Sequence, residues 1–119
     1  MHDINTMIDD MVQSGKTVQG IADAVRAESM TTMELEAVHA ERRRQDAKWG
    51  ANSMDGKPLY EWCAIAGEEY GEWCQAINEP LDSPRGGYEN MRNEAIQVAA
   101  VMVRFLECLD RQVIKENHK

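Results

Sequence analysis

At 119 residues, with 43% hydrophobic and 29% charged side chains, the chain has the size and composition of one soluble domain plus a small appendage. A net charge of −8 argues against a general nucleic-acid binder, which needs a basic footprint to displace counterions; a phosphate-bearing ligand bridged by metal ions stays open. The longest apolar run, Val98–Val103, falls far short of the roughly 20 residues of a membrane span, so no membrane partner is expected.

The amino terminus, MHDINTMIDD, carries neither a basic region nor an apolar core, so no export signal and a cytoplasmic location are expected. Cys63, Cys74 and Cys108 form no CxxC pair and read as reduced thiols, and the scattered His2, His39 and His118 suggest no zinc site. Few β-branched runs occur among many Met, Ala and Glu residues, which favours an all-α fold.

Ile4, Met7, Ile8 and Met11 recur at helical spacing, and so do Ile21, Ala22 and Val25 after a break at Ser14-Gly15. Residues 1–30 therefore read as an extension of two short helices. The stretch SGKTVQGIADAV resembles the first part of a helix-turn-helix, with Ala22 packing on a following helix. Arg26 stands where that turn wants Gly, and five acidic against two basic residues give the wrong sign for DNA. A docking or dimer-extending arm fits better.

Thr31 and Glu34 form a capping-box pattern that predicts a helix start near Thr32, opening a domain over 31–119. That helix is sparsely apolar (Met33, Leu35, Val38), ends in the charged ERRRQDAKWG, and can close on Gly50. Residues 50–57 read as a loop. Pro58 suits the first turn of a helix reaching Glu79, before Pro80. A last helix is predicted from Tyr88 to about Gln112, with Met91, Ala95, Val98, Met102, Phe105 and Leu109 as its packing seam. The last two helices should pair antiparallel. A segment apolar on every side, Val98–Val103, also asks for cover from a second chain.

Helix 58–79 carries the most informative feature. Its inward stripe reads Leu59, Trp62, Ala66, Glu69, Trp73 and Ala76, so a carboxylate lies on a core-facing row, where it is costly unless paired or metal-bound. Glu68 and Glu72 occupy adjoining rows, and their mutual repulsion sharpens the need for a cation. On the last helix Glu94 and Gln97 stand at i, i+3 immediately before the apolar run. Oxygen ligands from two facing helices suit a hard cation such as magnesium, completed by substrate phosphates. The plainer alternative is that these glutamates are solvated, or pair with Arg42–Arg44 or Arg92.

The segments EEYGEWCQAI (Glu68–Ile77) and NEAIQVAAVMVRFL (Asn93–Leu106), preceded by ERRRQDAKWG (Glu41–Gly50), resemble the MazG-like, all-α nucleotide pyrophosphohydrolases, in particular their phage and bacterial small-protein branch. That family's pattern is EExxE, a spacer, then ExxD on two antiparallel helices. Glu68, Glu69, Glu72 and Glu94 match it; Gln97 stands where the pattern has Asp and removes one negative charge. The resemblance implies a MazG-like antiparallel bundle whose four-helix core is completed in a homodimer or homotetramer. It implies magnesium-dependent hydrolysis of a nucleoside or deoxynucleoside triphosphate to the monophosphate and pyrophosphate. Glu69, Glu72, Glu94 and Gln97 would hold metal, and Glu68 would orient or deprotonate water. Lys48 would contact phosphate and Trp49 would stack on the base, although Trp49 also suits a core plug and Lys48 a solvated charge. Two other functions stay in view: a catalytically weak nucleotide- or protein-binding module, on account of Gln97, and a small DNA-binding regulator acting through residues 14–30.

Overall fold

Gly and Pro punctuate the chain where its first three helices end, and the last closes on Gln112 at φ +57°. The computed structural model describes residues 3–117, and among them four helices and no strand form. Helix α1 spans Ile4–Gln13, α2 Val18–Trp49, α3 Leu59–Asn78 and α4 Tyr88–Asp110. None of the helices is long and apolar enough to cross a membrane. His2 and His118 lie outside the described residues.

The chain divides into two compact units, Met1–Glu36 and Ala37–Lys119. In the first, Asp3 caps α1 by accepting from the Asn5 amide, and no residue of α1 is buried. The break at Ser14-Gly15 is present, with Gly15 at φ +75°. The break expected before Thr31 is absent: α2 runs through it for 32 residues. No Gly or Pro interrupts the sequence between Gly20 and Gly50, and a cap pattern does not stop a helix whose preceding turn is also a good helix former. Thr31 turns its hydroxyl back onto the Ala27 carbonyl at 3.1 Å, one helical turn earlier. The turn at Arg26 that a helix-turn-helix would require is missing for the same reason.

In the second unit α3 and α4 pack against each other. Trp62 meets Phe105 edge-on with ring centroids 5.4 Å apart, while Glu72 lies near Glu94 at the other end, so the two helices run antiparallel. The inner row of α3 is largely as read: Trp62 and Ala76 are buried and Ala66, Glu69 and Trp73 half-buried, although Leu59 is exposed. The seam of α4 is rotated from the expected one. Ala100, Val101, Arg104 and Cys108 are buried, whereas Met102 and Leu109 remain 44% and 47% exposed. A run that is apolar all round does not encode which face its own chain covers; α3 takes one and leaves Met102, Val103 and Leu106 outside.

The carboxy-terminal part of α2 reaches α4 through long side chains rather than close backbone packing. Arg42 is buried and donates from Nε and Nη2 to the two carboxylate oxygens of Glu107, at 2.8 and 2.9 Å. Its Nη1 donates to Gln45 and Asp46. Burial opposes the Arg42 charge, but the bonds and charges of Glu107 and Asp46 outweigh it and push its pKa up. Gly50, at φ +92°, then ends α2.

A carboxy-terminal strap completes the unit. Residues 113–117 run beside the entry to α3: Gly56 N donates to Val113 O, Lys115 N to Lys57 O, and Leu59 N to Lys115 O. Asn117 Oδ1 accepts from the Tyr60 amide at 2.7 Å, replacing the side-chain cap that Pro58 cannot give. Val113 and Ile114 press on the Trp62–Val101–Cys108 core. Between α3 and α4 the loop folds back so tightly that a Cβ on Gly86 would sit 2.0 Å from the Pro80 carbonyl oxygen.

Candidate metal centre and adjoining cleft

Helical geometry brings the carboxylates together. Glu69 and Glu72 share a face of α3 at i, i+3, and antiparallel pairing sets Glu94 of α4 against them. One oxygen from each of the three lies within 4.8 Å of the others. Glu69 and Glu94 are half-buried, Glu72 is exposed, and Glu69 Oε2 and Glu94 Oε2 are buried with no hydrogen-bond partner. Three of the arginines that could have neutralised the cluster form their ion pairs elsewhere, Arg42 with Glu107 and Asp46, Arg43 with Asp46, and Arg44 with Glu41, although the Arg44 charge still acts on Glu69.

Burial first, and then the charges of Glu72, Glu94, Glu68 and Glu41, push the Glu69 carboxyl above the usual range. Burial also raises Glu94, followed by the charge and hydrogen-bonding reach of Glu72. Two orphaned carboxylate oxygens beside a third carboxylate fit a hard divalent cation, which favours oxygen ligands and offsets the repulsion.

The other predicted residues divide. Glu68 is exposed and outside the trio; α3 turns it one row outward, beyond Glu72. Gln97 is half-buried and lines a cleft of about 310 Å³ together with Glu69. Trp49 lines the same cleft and is 61% exposed, so it is not a core plug. Lys48 is exposed with its Nζ 4.9 Å from the Trp49 ring centroid, a cation–π contact at the surface.

Sequence reasoning missed the cleft's cations: Arg44, Lys57 and Arg104 line it. Arg104 was legible only as a charge placed directly after an apolar run, yet it is 8% exposed. Its Nη2 donates to Gly50 O and Ser53 Oγ at 3.0 and 2.7 Å. Burial, then the nearby Arg42 charge, lowers its pKa. On the opposite side of the trio, Glu72 and Glu94 line a second groove with Arg85 and Asn90. The carboxylates thus stand between two depressions, each with a basic side chain. Compared with known proteins, the chain matches no family model, no curated protein and no solved structure.

Proposed function

We propose that the chain is a MazG-like, magnesium-dependent pyrophosphohydrolase that converts a nucleoside triphosphate to the monophosphate and pyrophosphate. The observation that carries this reading is the trio Glu69, Glu72 and Glu94 with its two buried, partnerless oxygens. These three would hold magnesium, and Gln97, a neutral carbonyl ligand, would complete the set or hold a water. When bound, magnesium would supply positive charge for the phosphates and lower the pKa of a water.

The chain's own residues do the rest. The nucleoside end would occupy the cleft beside Trp49, which Arg44 and Lys57 also line, ion-paired with Glu41 and Glu61 respectively. The terminal phosphates extend into the groove toward Arg85. A substrate spanning both depressions brings its α–β linkage to the carboxylates, which supports cleavage there. Glu68, exposed and one residue from Glu69, would orient or deprotonate the attacking water. The apolar face of Met102, Val103, Leu106 and Leu109 supports assembly as a homodimer or homotetramer.

The test is incubation with magnesium and each common dNTP and NTP, following pyrophosphate against orthophosphate, with Glu69→Ala as control. Pyrophosphate release that disappears in the variant is expected. No release from the whole panel would overturn the reading. Gln97 favours a second one, a catalytically weak nucleotide-binding module; a large gain in turnover for Gln97→Asp would support it, and unchanged turnover would count against it.

A further inference from the structure

Two donor-only side chains that line the cleft each bury a nitrogen without an acceptor. Trp62 is 4% exposed and its Nε1 is buried without an acceptor; Arg104 is 8% exposed and its Nε is likewise orphaned. The two hydrogen bonds of the Arg104 guanidinium both leave from Nη2, and no carboxylate among the described residues lies within ion-pair distance of it. Indole and guanidinium have no acceptor capacity, so neither can satisfy the other. A buried N–H without a partner is costly, and two on one cleft point to a ligand rich in acceptors.

Their position separates a base from a phosphate. Arg104 follows Glu94 by ten residues on α4, roughly 15 Å along the helix axis, and lies about 10 Å beyond Gln97. Phosphates held at the carboxylates do not reach it. The cleft is lined by the apolar Trp62, Ile65, Met54 and Val101, which suit a flat ring, beside the charged Glu41, Arg44, Lys57 and Glu69. Trp49 stands on the same cleft, exposed and able to stack.

We propose that Arg104 and Trp62 read the base of the substrate, and that the donor pair selects a 6-oxopurine, guanine or hypoxanthine, through its adjacent O6 and N7 acceptors. This rests on the nucleotide reading above and names its substrate class. Guanine N7 and O6 are both acceptors, whereas adenine places an amino donor beside N7. Uracil and thymine interpose an N–H between their carbonyls, and the acceptor pair of cytosine lies beside the sugar. Both nitrogens are closed to solvent, so the wall, in which Met54 is the flexible side chain, must shift for a ring to reach them.

The experiment is calorimetric titration of the full chain, with magnesium present, by the monophosphates of guanosine, inosine, adenosine, cytidine and uridine, and by inorganic triphosphate. Monophosphates need no turnover, so the result does not depend on hydrolysis. Guanosine and inosine monophosphates are expected to bind at least about tenfold more tightly than the others, the discrimination of one good bidentate contact. Trp62→Phe keeps an aromatic ring, though a smaller one, and removes the donor; Arg104→Lys keeps the charge and removes the fork. Each should erase most of the preference while leaving inorganic triphosphate binding unchanged. Equal binding of adenosine, cytidine or uridine monophosphate, or no binding of any nucleotide, overturns the proposal in the wild-type protein alone. A preference that survives in both variants overturns it too, as does an Arg104→Lys loss equally large for inorganic triphosphate. Guanosine selectivity without hydrolysis of any triphosphate would leave this inference standing and remove the pyrophosphohydrolase reading.

Discussion

Removing one carboxylate from the trio should stabilise the metal-free protein. In Glu94→Gln the shape is kept and one charge is lost. Two unit charges at the 4.8 Å that bounds the trio repel by about 3.5 kcal/mol at an effective dielectric of 20 and about 0.9 kcal/mol in bulk water. Glu94 is half-buried and Glu72 exposed, so solvent screening leaves about 1–2 kcal/mol. In EDTA at pH 8 the variant should therefore melt about 5 °C higher than the wild type. Excess magnesium reverses the order, because a cation at about 100 times its Kd stabilises the wild type by about 2.7 kcal/mol and the variant has lost a ligand. Thermal melts of both proteins, with EDTA and with magnesium, read all four values. A variant that melts lower in EDTA would show that hydrogen bonding outweighs repulsion in the trio. An equal magnesium gain in both proteins would place the cation elsewhere and refute the assignment.

The raised carboxyls give this comparison a pH dependence. A carboxyl whose folded pKa lies above its unfolded one favours the fold while protonated and loses that contribution as pH rises through the folded value. Metal-free wild type should thus lose stability relative to Glu94→Gln as pH rises above the ordinary carboxylate range; parallel curves would count against the shifts. Glu107→Ala removes one of the two carboxylates that hold the Arg42 guanidinium, 6% exposed in its side chain, and should cost about 1.5–3 kcal/mol by urea denaturation. A loss below about 1 kcal/mol would mean Asp46 alone holds Arg42. Asn117→Ala removes the distant cap of α3 and should cost about 1 kcal/mol in the same assay, with no change expected if water replaces it.

The helix ends were legible because their signals are local. Gly50, Pro58, Pro80 and the Gly86-Gly87 pair each act on their own backbone, and α3 and α4 begin and end within a residue or two of the expected positions. Glu69 was legible because a carboxylate on an apolar row is a conflict visible in spacing alone. Three features had no such signal. The continuity of α2 depended on the absence of a breaker rather than the presence of a cap. The seam of α4 depended on which apolar face α3 would choose. Asn117 and Arg104 act on groups more than fifty residues away in sequence, Tyr60 N in one case and Gly50 O in the other, and no periodicity records such a pairing.

The cleft owes its existence to what α2 lacks. Over Glu41–Lys48 the helix carries no apolar side chain larger than Ala47, so it has nothing to bury against α4. Apolar helices close to 8–10 Å between axes, and such a contact would have filled the space above Val101 and Arg104. Instead the paired Arg42 and Glu107 side chains hold the segment at the length of an ion pair, and the gap is lined from α2, the 50–57 loop, α3 and α4. Arg104 is left buried between a loop that uses only its Nη2 and a cavity that uses none of its remaining donors. An apolar residue there would have been cheaper for the fold, since a desolvated cation without a carboxylate works against stability. The same departure from the economical solution marks Glu69 and Glu94. Both costs fall on one continuous surface, from the trio through Glu69 and Gln97 to Arg104, and a bound nucleotide with its metal is the kind of ligand that would offset them together.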